Sequence, residues 1–411
     1  MNAPQPAGAA PVMSERRVGL LGALLVAIGP VSMALFTPAM PEIVHAFHTT
    51  EGAVKLTLSL YFAGFAFAQL VCGPLSDGFG RKPVTFAFML IYMAASLLAL
   101  FSPTIELLIA ARFLQGVGAA VGISVARAMV RDLYTHEKSA RIMNLMGLIL
   151  SIGPAVSPTL GGITMELAGW HAIFIVMIAG AGVSLVIVQL FMVETVRRDL
   201  SRIRPAALMR SYSSLLRSRY FVLASLVLGG SAGAIYTQAT MLPFILMDRV
   251  GLSPTQFGIA MLMQSGSYIA GSLVVRMLLR RVAAPRLVPV GLGFMAVGSV
   301  GLAIWLRIAE PSLLSVMAPV GAYTFGIAFV MPSISTAVLA PFPHIAGAAS
   351  SMSGFFQMGS GLVGGTIAAL VGNPVMAIAT IIPAMGLIAI VSWLVWRRIP
   401  EPEHRPAVPP G

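Results

Sequence analysis

Arg112 and Gln115 stand three residues apart in an almost uncharged stretch, residues 104–127, that is long enough to cross a bilayer. At helical spacing the two share a face. A guanidinium at membrane depth costs about 2.5–3.5 kcal/mol on insertion scales, so it is kept for a task inside the protein. The run Gly116-Val117-Gly118-Ala119-Ala120 that follows lets another helix approach closely. A second cluster reads Gly73-Pro74-Leu75-Ser76-Asp77-Gly78-Phe79-Gly80-Arg81-Lys82. Its glycines permit a tight turn between two helices. Asp77 can cap a helix or pair with a basic group, while Arg81 and Lys82 hold the turn outside the lipid. A third runs from Gly147 and ends Gly153-Pro154-Ala155-Val156-Ser157-Pro158-Thr159-Leu160-Gly161-Gly162. Two prolines four apart bend a helix, and the glycines line a close-packed seam.

Other chemistry is absent from the pattern. No Ser/His/Asp ordering, nucleotide loop or zinc spacing supports an enzyme. His45 and His48 have no carboxylate shell for a metal, and the lone Cys72 reads as packing. No cofactor is expected.

The elements that must position these groups follow from composition. Of 411 residues, 57% are hydrophobic and 10% charged, against roughly 25% charged in a soluble domain. Twelve apolar runs lie near 18–38, 54–73, 84–103, 104–127, 142–164, 170–193, 220–247, 254–278, 287–306, 311–340, 345–371 and 373–396. These predict an all-α polytopic membrane protein. With the amino terminus in the cytoplasm, 22 of the 26 Lys and Arg residues fall on the cytoplasmic side, and only Lys55, Arg249 and Arg307 on the other. The positive-inside rule thus predicts both termini inside. The net charge of +12 is a topology signal, not a nucleic-acid footprint. The first run lacks a cleavage site and is expected to remain as a helix. Residues 1–13 and 399–411 read as disordered tails, 14–193 and 220–398 as two six-helix bundles. The linker 194–219 carries seven arginines, with apolar residues suited to a short amphipathic helix on the membrane surface or to a plain solvated connection.

The order of residues 73–82 resembles the loop signature of the major facilitator superfamily, where it acts as a cytoplasmic latch. Arg112 to Ala120 is similar to that family's fourth-helix motif, whose arginine faces a central cavity. Gly153 to Gly162 resembles the fifth-helix motif of its antiporters, and Gly169-Trp170-His171 fits the start of the sixth helix. The nearest group is the Bcr/CflA-like drug exporters of bacterial inner membranes. The resemblance implies two pseudo-symmetric six-helix bundles rocking about a midplane site, export of small amphiphilic compounds or drugs, and exchange for protons. It places Met33, Phe36, Arg112, Gln115, Tyr236, Gln238 and Tyr323 on the cavity wall, from spans 1, 4, 7 and 10. Gln264, Tyr268 and Gln357 are further polar candidates.

One departure matters. That group carries an aspartate four residues before the proline ending its first helix; here the end is Pro38-Ala39-Met40-Pro41 and position 34 is Ala34. Glu106, six residues from Arg112, lies about 120° around the helix and is a poor partner. Coupling then falls to Asp77, or to Arg112 with water and Gln115. A cavity with an arginine and no carboxylate favours neutral or anionic amphiphiles over multiply charged cations. The expected partners are a small molecule and the bilayer, with the chain a monomer. An uptake permease or facilitator for a small metabolite is the alternative in the same fold.

Overall fold

Short polar side chains set where the helices begin. Thr50, Thr104, Ser218, Ser253, Ser312 and Asn373 each accept a backbone N–H from the first turn that follows, satisfying donors that lipid would leave unpaired. The computed structural model describes residues 13–402. Its helices are α1 (Glu15–Phe36), α2 (Met40–Ala46), α3 (Glu51–Phe79), α4 (Arg81–Leu100), α5 (Ile105–Ala119), α6 (Val121–Leu133), α7 (His136–Phe191), α8 (Pro205–Arg217), α9 (Arg219–Ala239), α10 (Pro254–Leu278), α11 (Ala284–Ile308), α12 (Leu313–Ala337), α13 (Ala346–Val371) and α14 (Pro374–Trp396). Helices α5 and α6 together make one crossing.

Among the described residues, eleven helical segments are long and apolar enough to span a membrane. One of them counts twice. A straight helix as long as α7 would reach about 84 Å, against about 30 Å of hydrocarbon. Its backbone turns at Gly169 (φ 73°, ψ 177°), a conformation glycine takes without a Cβ clash. Twelve crossings result, spans 5 and 6 being the two limbs of α7. Leu160, Val186, Leu190, Val297, Ile304 and Leu387 are exposed on this helical surface, far more apolar area than water would tolerate; the chain is a multi-pass membrane protein.

Several boundaries differ from the sequence expectation. Helix α3 continues through Gly73, Asp77 and Gly78 to Phe79, so residues 73–82 are not a loop and the turn is confined to Gly80. Span 4 runs on to Leu133. Apolar runs mark only the part of a helix that lies in lipid, and here helices project beyond it with polar residues attached. Met13, expected in a tail, is buried, and its carbonyl accepts the Tyr134 hydroxyl at 2.5 Å. Of the expected tails, residues 1–12 and 403–411 lie outside the described residues. In the linker, α8 does form. Its Tyr212 and Leu215 are buried, with the Tyr212 hydroxyl on the Leu70 carbonyl at 2.5 Å. These two side chains dock on protein, while Met209 and Leu216 stay exposed.

Buried apolar side chains form two main cores, one drawn almost wholly from Met13 to Met192, the other from Tyr212 to Ala389. The halves meet where α3 packs on α13 and α7 on α10.

Candidate functional site

Between the halves lies a cavity of about 340 Å³. Met33, Gln69, Arg127 and Pro154 line it from the first half, and Tyr236, Gln264, Tyr268, Thr324, Met331 and Gln357 from the second. It continues into a vestibule of about 890 Å³ walled by Asp77, Arg81, Arg131, Arg204 and His344. Gln69, Ile123, Arg127, Leu339 and Ser350 border both chambers. The pathway therefore opens toward the arginine-rich face.

The opposite end is closed by contacts between the halves. Glu51 pairs with Lys55 at 3.1 Å and stands 3.9 Å from Arg249. Lys55 is buried, 3.5 Å from the Gly372 carbonyl and over the Phe244 ring. Beside them, burial and then the Glu51 charge push the Asp248 carboxyl above its ordinary value. Glu166 caps the start of α10, accepting the Thr255 N–H at 3.0 Å and its hydroxyl at 2.7 Å. Next to this cap the backbones nearly touch. A Cβ on Gly162 would overlap the Pro254 carbonyl, one on Gly258 would overlap Thr159, and one on Gly161 the Leu35 carbonyl. The expected glycine seam thus faces α1 on one side and the other half on the other. Gly153 approaches Val31, Pro158 is buried at the seam, and Pro154 faces the cavity.

Arg112 is not on the cavity wall. It is fully buried, its guanidinium 4.2 Å from the Phe36 ring centroid and 4.6 Å from that of Tyr61. Nη1 donates to Gln115 Oε1 at 2.6 Å, and Gln115 Nε2 donates to Ser96 Oγ at 2.7 Å. Nε and Nη2 have no hydrogen-bond partner among the described residues. No carboxylate among the described residues pairs with it. Two aromatic faces and one amide hold the charge, a strut through α1, α3, α4 and α5. Phe36 and Gln115 belong to this strut and not to the cavity, a correction to the expected wall. Tyr323 is likewise fully buried, its hydroxyl donating to the Gly230 carbonyl at 2.5 Å. Gln238 lies behind the wall, accepting from Gln264 Nε2 at 2.6 Å. Only Met33 and Tyr236 of the seven expected residues line the cavity, while Gln264, Tyr268 and Gln357 join them there.

The latch motif is a charge knot. Arg81 reaches Asp77 at 2.6 Å, Asp132 at 3.0 Å and the Ser76 hydroxyl at 2.5 Å. Glu194 accepts the Arg81 and Lys82 N–H groups at 2.8 and 3.1 Å, capping α4, and Lys82 Nζ donates to the Gln189 carbonyl at 2.8 Å. Gly80 adopts φ 106°, and a Cβ there would lie 2.5 Å from Glu194. Gly73, by contrast, has open space around it. All these partners belong to the first half and its connection to the linker, so the knot leaves the vestibule open. Asp132, Glu194 and Glu166 were not singled out from sequence, because each partner lies far along the chain. Arg127 was counted only as a topology charge.

The pattern of the Major Facilitator Superfamily matches residues 22–369. The chain is 29% identical over 388 residues to multidrug resistance protein D of Escherichia coli, covering 92% of this chain and 96% of that protein. It is 28% identical over 338 residues to a chloramphenicol resistance protein of Pseudomonas aeruginosa, covering 82% and 79%. Among solved structures, a D-xylose–proton symporter superposes with a TM-score of 0.71 at 14% identity, over 94% of this chain and 98% of that one. The human organic anion transporter MFSD10 gives 0.63 at 18% identity, over 95% and 100%. The chain belongs to the Major Facilitator Superfamily, and family and fold mark a secondary transporter, not an enzyme.

Proposed function

We propose that this transporter exports small amphiphilic compounds or drugs across a bacterial inner membrane by alternating access, in exchange for protons. The observation that carries the reading is the cavity between the halves, open toward the arginine-rich face and sealed at the other. By the positive-inside rule the open face is the cytoplasmic one, the side from which an exporter loads its cargo. Its wall mixes Met33, Met331 and Met358 with Gln69, Gln264 and Gln357. Thioethers adapt to varied shapes and amides orient polar groups, a combination that suits dissimilar substrates. The names of the relatives, multidrug and chloramphenicol resistance proteins, point the same way.

Among the described residues, Asp77 is the one carboxylate on either chamber's wall. With Ala34 where a carboxylate would be expected, Asp77 is our candidate for proton exchange. The absence of an acid from the inner cavity also supports neutral or anionic cargo. The pathway is complete within one chain, which supports a monomer. The same gap at Ala34 keeps one second reading, an uptake permease for a small metabolite.

An efflux-deficient bacterial host with and without the gene tests this. Export requires raised tolerance to chloramphenicol or another amphiphilic drug, lower drug accumulation, and loss of both on adding a protonophore. Unchanged tolerance across a broad drug panel would overturn the export reading. Faster accumulation with the gene would select the permease.

A further inference from the structure

The inner cavity and the vestibule meet at Arg127. Its side chain borders both chambers and is exposed to them, although Ala126 and Ala128 beside it are buried. It stands six residues before the end of α6, about 9 Å along the helix, at the level where the two chambers join. Among the described residues its one hydrogen bond is a long one, Nη1 to Ser350 Oγ at 3.4 Å, and it crosses to the other half. No carboxylate among the described residues pairs with it. Asp77, the carboxylate on the vestibule wall, is engaged by Arg81 at 2.6 Å. One turn on, Arg131 also faces the vestibule. Like charges at this spacing weaken a helix, and an anion held beside them would remove that penalty.

Three arginines of the first half therefore have three different fates. Arg81 is neutralised by two carboxylates, Arg112 is buried between rings, and Arg127 is presented to the pathway with its donors largely unused. The inner cavity it borders offers apolar surface from Ile123, Leu150, Ile327, Met331 and Met358 among its glutamines and hydroxyls.

We propose that Arg127 is the docking group for the anionic head of an amphiphile whose apolar body occupies the inner cavity. This rests on the reading of the chain as a carrier of amphiphiles and assigns the class: compounds bearing one carboxylate, sulfonate or phosphate on a hydrophobic frame. A guanidinium offers parallel donors that match two oxygens of such a group. Ser350 adds a donor from the facing half, so the anion bridges the two halves at the point where they part. Cations are repelled at the same junction, which makes Arg127 a selectivity filter as well as an anchor.

A matched fluorescent pair tests this: 8-anilinonaphthalene-1-sulfonate and N-phenyl-1-naphthylamine, the same frame with and without the anion. Binding is measured with the full chain in lipid nanodiscs, beside empty nanodiscs. Arg127→Gln is expected to weaken the sulfonate about tenfold, the worth of one charge-assisted contact, and to leave the neutral amine within about twofold. Arg127→Lys keeps part of the preference, a point charge replacing a fork. Arg210→Gln, an equal charge change at an α8 residue that lines neither chamber, controls for the general positive field. The proposal is overturned if wild type does not bind the sulfonate, if Arg127→Gln weakens both probes alike, or if Arg210→Gln has the same effect as Arg127→Gln. Everted vesicles separate this from the exporter reading. Sulfonate binding that depends on Arg127 without any flux would sink export alone, and flux of both probes indifferent to Arg127 would sink the docking group alone.

Discussion

The fourth crossing of each half aims one large side chain at the heart of its own bundle. In the first half it is Arg112, in the second Tyr323, and both are fully buried. The surroundings run parallel. A carbonyl on the first crossing of each half accepts a tyrosine hydroxyl, Gly29 from Tyr61 at 2.8 Å and Gly230 from Tyr323 at 2.5 Å. The second half solves the packing problem with a neutral group that makes one hydrogen bond. The first half buries a cation instead, at a desolvation cost of several kcal/mol. A fold that can be built without the charge does not explain it. Two of its nitrogens, Nε and Nη2, find no hydrogen-bond partner among the described residues, so the contacts that hold the charge do not account for it.

Removing that charge while keeping the volume should break the comparison most. Arg112→Met is expected to leave the melting temperature of purified protein within a few degrees of wild type, since Met refills the space between Phe36 and Tyr61. Export should fall at least about tenfold and by the same factor for every cargo, the scale of losing one strong charged contact. Drug accumulation in the efflux-deficient host reads this. If Arg112→Met exports normally, the contrast between the halves is one of packing alone.

Next in size is a pair of glycine substitutions that asks whether the halves are equally tight. A Cβ on Gly116 would overlap the Tyr61 carbonyl; one on Gly298 would lie 2.5 Å from the Pro319 carbonyl and 2.7 Å from the Tyr323 nitrogen. Gly116→Ala and Gly298→Ala should each lower stability by about 1–3 kcal/mol, the usual cost of overpacking. Thermal unfolding of the two variants beside wild type measures it. A loss confined to one half would mean that the other has slack around its central residue.

What the sequence revealed follows the same division. The twelve crossings were visible because bilayer length and charge placement are properties of short segments. Arg112 was visible by type, but its neighbours Phe36 and Tyr61 come from other helices, so its orientation away from the cavity was not. Arg127 looked like one more positive-inside residue, and nothing local shows that its helix turns it toward the pathway. Glu194 acts on Arg81 from 113 residues away, and no spacing rule reaches that far. Gly80 could be read as a turn, whereas Gly73 and Gly78 could not be assigned to the helix that contains them, because glycines suit either.

A smaller effect is expected at the neutral centre. Tyr323→Phe deletes the hydroxyl and leaves the Gly230 carbonyl with one fewer partner, at about 1 kcal/mol. Equilibrium unfolding should register this, and drug accumulation should stay near wild type. A large transport defect would show that the second half also keeps a working polar group at its heart, erasing the asymmetry.

The smallest effect is placed where the halves join. Glu166 in the first half holds the start of α10 in the second through the Thr255 N–H and hydroxyl, a contact that parting of the halves at this end would break. Glu166→Gln keeps the shape and one acceptor but removes the charge, and charge-assisted bonds are roughly twice as strong as neutral ones. The residue is exposed, so water offsets much of the loss. The expected result is about a two- to threefold gain in reaction of a cavity cysteine, Thr324→Cys, with a membrane-impermeant thiol reagent applied to the face opposite the arginine-rich one, after the native Cys72 is replaced by Ala. Gly162 sits beside the same joint, and Gly162→Ala pushes on the Pro254 carbonyl from the other half. Its reactivity should rise in the same direction and further, because a steric overlap is not screened by water. If Glu166→Gln opens the pathway and Gly162→Ala does not, the closure is electrostatic and the glycine seam is only packing. If the order is reversed, close backbone contact holds the halves together and the carboxylate trims it.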